Sequence, residues 1–110
     1  MNIQIFGKKK CFDTKKAERY FKERGIKFQS VDILDKGLSK RELQSVMAAA
    51  GGMDKLIDEK SKDYYEIKYL LEDAKAEKLM EKPSIYKTPI VRNGNKATVG
   101  YCPEIWKEWE

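Results

Sequence analysis

Ile3 and Ile5 flank Gln4 near the start of the chain. This two-residue period places one face of a short strand in a core. Gly7 and three lysines after it end the pattern. From Thr14 to Arg24 the period changes: Ala17, Tyr20, Phe21 and Arg24 fall at helical spacing, the stripe of a helix packed on one side. Gly25 supplies the left-handed stop that helices favour. Ile26 to Ile33 is rich in β-branched and aromatic residues and predicts a second strand. Strand, helix and strand in about thirty residues make a βαβ unit, whose two strands run parallel.

The middle of the chain is helical in pattern. Ser39-Lys40-Arg41-Glu42 is a capping box, with Leu43, Val46, Met47 and Ala50 as the apolar stripe behind it and Gly51-Gly52 as its end. Lys62 to Leu79 predicts further helix with one or two breaks. Tyr65, Tyr69, Glu72 and Ala76 lie on one side of it, and Ile67, Leu70, Leu71 and Ala74 on the other. Pro83 closes this region. Beyond it, Ile90-Val91-Arg92 and Ala97-Thr98-Val99 flank Asn93-Gly94, a strong hairpin signal because that pair tolerates positive φ. Pro103 then opens a helix whose Ile105, Trp106 and Trp109 form one apolar face. The order is βαβ, a helical insert over about residues 39–82, then ββα. That is the α/β thioredoxin-like plan, expected as one domain over residues 1–110.

Composition narrows the chemistry. A chain of 110 residues suits one core, and no run approaches the roughly 20 apolar residues that span a bilayer. The first residues lack the positive flank and long apolar core of a secretion signal, so no membrane association and a cytoplasmic location are expected. With no histidine there is no Ser-His or Cys-His pair and no imidazole ligand. Two cysteines cannot close a zinc site or build a disulfide scaffold. Thiol chemistry, carboxylate or lysine chemistry, or pure binding remain. A net charge of +5 favours anionic partners only weakly, because 18 acidic residues are spread among 23 basic ones. Direct nucleic-acid binding is not expected.

Cys11 is the residue whose surroundings carry most information. It sits directly before a helix, where unpaired N–H groups and the helix dipole stabilise an anion. Lys8, Lys9, Lys10, Lys15 and Lys16 surround it. Both influences favour thiolate, the nucleophilic form, and the same loop suits an oxyanion. This makes Lys8 and Lys10 candidate substrate contacts. Thr14, three residues on, offers its hydroxyl to the sulfur or caps the helix. Cys102 has no local activation and reads as a packed cysteine, with a resolving thiol as the other reading. Thr88-Pro89 opens the hairpin, where a thioredoxin-like fold places a cis-proline facing the cysteine; the segment alone leaves cis and trans open. Lys60 and Arg92 are candidate anion clamps or, alternatively, solvated charges. Tyr64, Tyr65 and Tyr69 read as core or groove residues, not as a stacking platform.

The chain also resembles the arsenate reductase (ArsC)/Spx family. The resemblance runs through Ile5-Phe6-Gly7, Cys11-Phe12-Asp13-Thr14-Lys15-Lys16-Ala17, Arg24-Gly25-Ile26, Gly37-Leu38-Ser39, Glu42-Leu43, Leu56-Ile57-Asp58, Pro89-Ile90-Val91 and Val99-Gly100-Tyr101. It implies a thioredoxin-like fold with a helical insertion and a reactive Cys11. Family members include thiol-coupled arsenate reductases, Spx-type regulators that bind the C-terminal domain of the RNA polymerase alpha chain, and uncharacterised relatives. This sequence departs from both characterised kinds. Thr14 stands where Spx has the second cysteine of its Cys-x-x-Cys switch. Thr88, Gly100 and Lys60 stand where the reductases carry arginines, and lysine cannot reproduce a bidentate guanidinium. These departures point away from efficient arsenate reduction. Gly52 matches the glycine that Spx uses at its polymerase contact, and a helix-ending glycine explains it equally. The resemblance implies a monothiol oxidoreductase without a bound cofactor. Glutathione or another small thiol, or a glutaredoxin- or thioredoxin-like protein, would be its reductant. A monomer is expected. The alternative is a transcriptional regulator whose partner is the RNA polymerase alpha subunit.

Overall fold

The computed structural model describes residues 1–110. Its elements are β1 (Ile3–Gly7), α1 (Phe12–Glu23), β2 (Phe28–Asp32), α2 (Lys40–Ala50), α3 (Glu72–Glu81), β3 (Ile90–Asn93), β4 (Lys96–Val99) and α4 (Pro103–Trp109). Three short 3₁₀ turns, Met53–Leu56, Tyr64–Glu66 and Pro83–Ile85, lie between α2 and β3. The four strands form one sheet in the order β2-β1-β3-β4. β1 runs parallel to β2, with Ile5 opposite Ser30, and antiparallel to β3, with Ile5 opposite Val91. β4 pairs antiparallel to β3.

Strand alternation divides the core. Ile3, Ile5 and Val91 pack under α1 and α4 with Ala17, Tyr20, Phe21 and Trp106. Phe6 and Ile90 point to the opposite face, where Leu43, Val46, Leu56, Ile67, Leu79, Ile85 and Tyr86 cover them. Each fully buried aliphatic or aromatic side chain contributes roughly 1.5–3 kcal/mol. The indole Nε1 of Trp106 donates to Thr98 Oγ1 at 2.8 Å, so its one polar atom is satisfied inside the core.

The helix signals act as the sequence implies. Ser39 Oγ accepts from the Glu42 N–H at 3.1 Å, and Glu42 Oε1 accepts from the Ser39 N–H at 2.8 Å. Gly51, at φ 92°, closes α2, and Gly25, at φ 66°, follows the end of α1.

The structure departs from the sequence pattern at three places. The predicted 62–79 helix is α-helical only from Glu72 onward, and that helix runs on to Glu81. The preceding stretch folds as a 3₁₀ turn that drives Ile67 into the core and leaves Tyr65 and Tyr69 80% and 82% exposed. Those two tyrosines are therefore surface residues, not core or groove. Ile105 is 39% exposed, because the short α4 commits Trp106 to the core and turns its neighbour outward. The hairpin loop is Gly94-Asn95, one residue later than the sequence signal, since Asn93 stays paired with Lys96 and its Oδ1 accepts from the Asn2 N–H at 3.2 Å. Gly94 alone takes positive φ, the II′ pattern; a I′ turn needs both central residues positive.

Candidate active site

β1 ends at Gly7, and the chain needs only Lys8 to Lys10 to turn into α1. The turn closes when the Cys11 N–H donates to Lys8 O at 3.0 Å. Cys11 is left as the N-cap of α1 with extended backbone, φ −91° and ψ 116°. Its half-buried sulfur is brought against the segment entering β3, where Sγ donates to the Thr88 carbonyl at 3.6 Å. The Thr88–Pro89 peptide is cis, which decides the alternative the sequence left open. Both residues are buried. The Pro89 carbonyl accepts the Gly100 N–H at 2.8 Å, fixing this segment to the end of β4.

Thr14 sits one turn into α1, buried beneath the loop. Its Oγ1 accepts the Lys8 N–H at 3.4 Å. Gly7 makes that position possible: a Cβ there would lie 2.1 Å from Thr14 Cγ2 and 2.6 Å from Oγ1. The glycine is required by close approach, not by backbone conformation.

The thiol of Cys11 is shifted below its ordinary pKa. Burial opposes ionisation and is the largest single influence. It is outweighed by the Thr14 and Thr88 hydroxyls and by the N–H groups of Thr14 and Asp13. As a thiol the sulfur donates to Thr88, and no helix N–H closes on it; once ionised it becomes an acceptor for these donors. The leading stabilisers are thus hydrogen-bond donors, among them the helix N–H groups and the Thr14 hydroxyl that the sequence already places at this position, while the lysines it adds to the field are not among them. Cys102, the N-cap of α4, is shifted upward by burial and by the charge of Glu104. Its Sγ donates to Val99 O at 3.4 Å, and both cysteines are free thiols.

The lysines have separate fates. Lys8 crosses to the 3₁₀ turn before β3, where Nζ donates to Ser84 O at 2.8 Å and Tyr86 O at 2.9 Å. Burial lowers its pKa, partly offset by the charges of Asp58 and Cys11. Lys8 therefore braces the cysteine loop against the proline loop; it is not a free clamp. Lys10 is exposed in the loop that leads to Cys11, and Lys9, Lys15, Lys16 and the 79% exposed Phe12 are exposed around the start of α1. Lys60 is exposed in a turn held by its own N–H on Asp58 Oδ1, 2.9 Å away, and its ammonium makes no ion pair.

Arg92 does not join this group. It lies four residues beyond Thr88, roughly 13 Å along an extended chain, on the sheet face that carries α2. There Nη1 donates to Gln4 Oε1 at 2.8 Å and Glu42 Oε2 at 3.3 Å. Strand alternation turned it away from α1, so it is not placed as an anion clamp. The sequence pattern gives no sign of the Gly7–Thr14 contact or of the Lys8 brace. Gly7 looks like any strand-ending glycine, and backbone carbonyl partners carry no sequence signature. No group of three or more Cys, Asp or Glu side chains converges as metal ligands would. No helix is long and apolar enough to cross a membrane.

A mixed sheet with a cysteine capping the first helix and facing a cis-proline defines a thioredoxin-like protein. A glutaredoxin from Archaeoglobus fulgidus shares this frame, with a TM-score of 0.52, 19% identity and coverage of 97% of this chain and 83% of that one. The chain belongs to the ArsC family, whose model matches residues 6–109. An arsenate reductase from Vibrio cholerae superposes with a TM-score of 0.86 at 24% identity, covering 98% of this chain and 97% of the other. A protein described as global transcriptional regulator Spx 2, from Oceanobacillus iheyensis, is 32% identical over 128 residues, spanning 100% of this chain and 94% of its own.

Proposed function

We propose that the protein is a cytoplasmic, monomeric, ArsC-like monothiol oxidoreductase. The observation that carries this reading is the half-buried Cys11 sulfur at the start of α1, set against the Thr88 carbonyl of the cis-proline segment, where donors from Thr14 and Thr88 favour the thiolate. The Cys11 thiolate attacks one sulfur of an oxidised substrate disulfide. A sulfur–sulfur bond forms to Cys11, the substrate bond breaks, and the second substrate sulfur leaves as a thiolate that takes up a proton. An external thiolate, from glutathione or from a glutaredoxin- or thioredoxin-like protein, then attacks the mixed disulfide and releases Cys11. Thr14 stands where a second cysteine would make an internal disulfide, so the resolving thiol comes from outside. Among the substrate-contact candidates, Thr88 meets the sulfur through its carbonyl, Pro89 follows it across the cis peptide and Lys10 precedes Cys11 in the loop, whereas Lys8 acts as a brace. Oxyanions remain within the same chemistry, though no arginine stands near the cysteine to grip arsenate in two-point fashion.

Reduction of hydroxyethyl disulfide and of arsenate, each with glutathione and with glutaredoxin as reductant, tests the proposal. Cys11→Ser abolishes turnover and Cys102→Ser keeps most of it. Turnover that survives Cys11→Ser refutes it.

A second reading is an Spx-like regulator that binds the C-terminal domain of the RNA polymerase alpha chain. It is favoured by 32% identity across the whole chain to a protein described as a transcriptional regulator. Gly52 supports it less, because its φ of 135° already calls for glycine. A pull-down with that domain decides, and no binding at tens of micromolar retires this reading.

A further inference from the structure

The insert carries an open groove between α2 and α3, on the opposite face of the sheet from α1. It has a volume of about 580 Å³. Its floor is Leu43, Met47, Met53, Ala76 and Met80. Three of the four methionines in the chain therefore meet in one place. Met80 is 45% exposed and Met47 half-buried, so flexible apolar surface is left open to water. Methionine is the side chain that adapts to varied apolar partners.

The charges of α3 are sorted around this groove. Lys75 pairs with Asp54 at 2.8 Å, Lys78 with Glu81 at 3.4 Å, and Lys82 with Glu66 at 2.6 Å. Glu72, Asp73 and Glu77 line the groove and make no ion pair. A chain of net charge +5 thus presents an uncompensated acidic wall above an apolar floor. Asp73 and Glu77 are one helical turn apart, a spacing matched by cations at i and i+4 on a facing helix. Such a wall repels anionic membranes and nucleic acids. Lys40 on the α2 side is the lone basic residue of the lining, so the attraction is concentrated along α3.

We propose that the α2–α3 groove docks a cationic amphipathic helix of a partner protein, its apolar face on the methionines and its lysines or arginines against Glu72, Asp73 and Glu77. This is recognition of a helix in a groove, with charge complementarity setting orientation and association rate. The groove shares no residue with the Cys11 site, so binding stands or falls separately from thiol chemistry.

The test uses the full chain and a fluorescent 18-residue peptide of leucine and lysine, with leucines at helical spacing. A matched peptide with glutamate for lysine is the control. Binding is read by anisotropy and by amide chemical shifts. The lysine peptide binds at least tenfold more tightly than the glutamate peptide, with shifts confined to α2, α3 and the Met53–Leu56 turn. The double variant Asp73→Lys/Glu77→Lys weakens it at least tenfold, and Met80→Gln weakens it without touching charge. Both positions are exposed, and an unchanged melting curve verifies folding. Equal binding of the two peptides, shifts centred on α1, or indifference to both variants would overturn the proposal. So would self-association of the free chain that Asp73→Lys/Glu77→Lys abolishes, since a second copy would then be the occupant.

Discussion

Replacing Gly7 by alanine probes the link between packing and reactivity most directly. The new Cβ would stand 2.1 Å from Thr14 Cγ2, 2.6 Å from Oγ1 and 2.9 Å from Cβ. Carbon atoms rest about 3.5–4.0 Å apart, so the overlap is roughly 1.5 Å. Thr14 cannot swing clear, because a β-branched side chain has few helical rotamers and this one is buried. The first turn of α1 must therefore retreat from β1. Overpacking of this kind costs about 1–3 kcal/mol. With a urea slope of about 1–3 kcal/mol/M, the midpoint falls by roughly 1 M. The same retreat stretches the Thr14 Oγ1 to Lys8 N–H bond, already 3.4 Å long, and withdraws the leading donor that holds the Cys11 thiolate. Iodoacetamide alkylation followed against pH shows the Cys11 pKa moving up toward the ordinary thiol value. The double variant Gly7→Ala/Thr14→Ala removes the two closest contacts and recovers stability relative to the sum of the single changes, while its sulfur stays less reactive. If Gly7→Ala unfolds like the parent and its alkylation profile is unmoved, the close approach does not govern the site.

Three further outcomes follow from the same geometry. Thr14→Val keeps the shape and deletes the hydroxyl. With the sulfur partly open to water, that bond is worth about 1 kcal/mol, so the pH profile of alkylation moves upward and the rate at pH below the thiol's pKa slows roughly fivefold; an unchanged profile would show that Thr14 does not support the thiolate. The two cysteines separate by pH. Cys11, with its pKa lowered, reacts at neutral pH and loses reactivity as pH falls through that lowered value. Cys102, with its pKa raised above 9.0, needs alkaline solution. Peptide mapping after brief alkylation at pH 7 therefore finds the label on Cys11, and preferential labelling of Cys102 would reverse the assignment. Tyr86 is fully buried, its hydroxyl has no partner, and burial with the charge of Glu42 pushes its pKa upward. Tyr86→Phe removes an unsatisfied group and leaves stability unchanged or raised by up to about 1 kcal/mol; a loss above about 1 kcal/mol in urea titration would contradict this.

Much of the architecture is legible in the chain because its signals are short-range. The capping box of α2, the positive-φ glycines after α1 and α2, and the alternation of Ile3 and Ile5 depend on neighbours within a few residues. The hairpin signal falls one residue early because Asn93, although compatible with a turn, is held in the strand by Asn2. The tyrosines of the insert mislead because their helical spacing gives no hint that a 3₁₀ turn leaves Tyr65 and Tyr69 outside. Arg92 resembles a clamp only while the direction of its side chain is unknown.

Residue order alone places a cysteine where a loop becomes a helix and denies it any histidine to assist. The thiolate preference at a helix start is a local property of unpaired N–H groups. What faces that sulfur is settled by the assembled fold. Thr88 reaches Cys11 across 77 positions, and Lys8 reaches Ser84 and Tyr86 across 76 and 78, because β3 is inserted beside β1 in the sheet. Strand order is a collective result of burying both faces at once, and no residue spacing announces it.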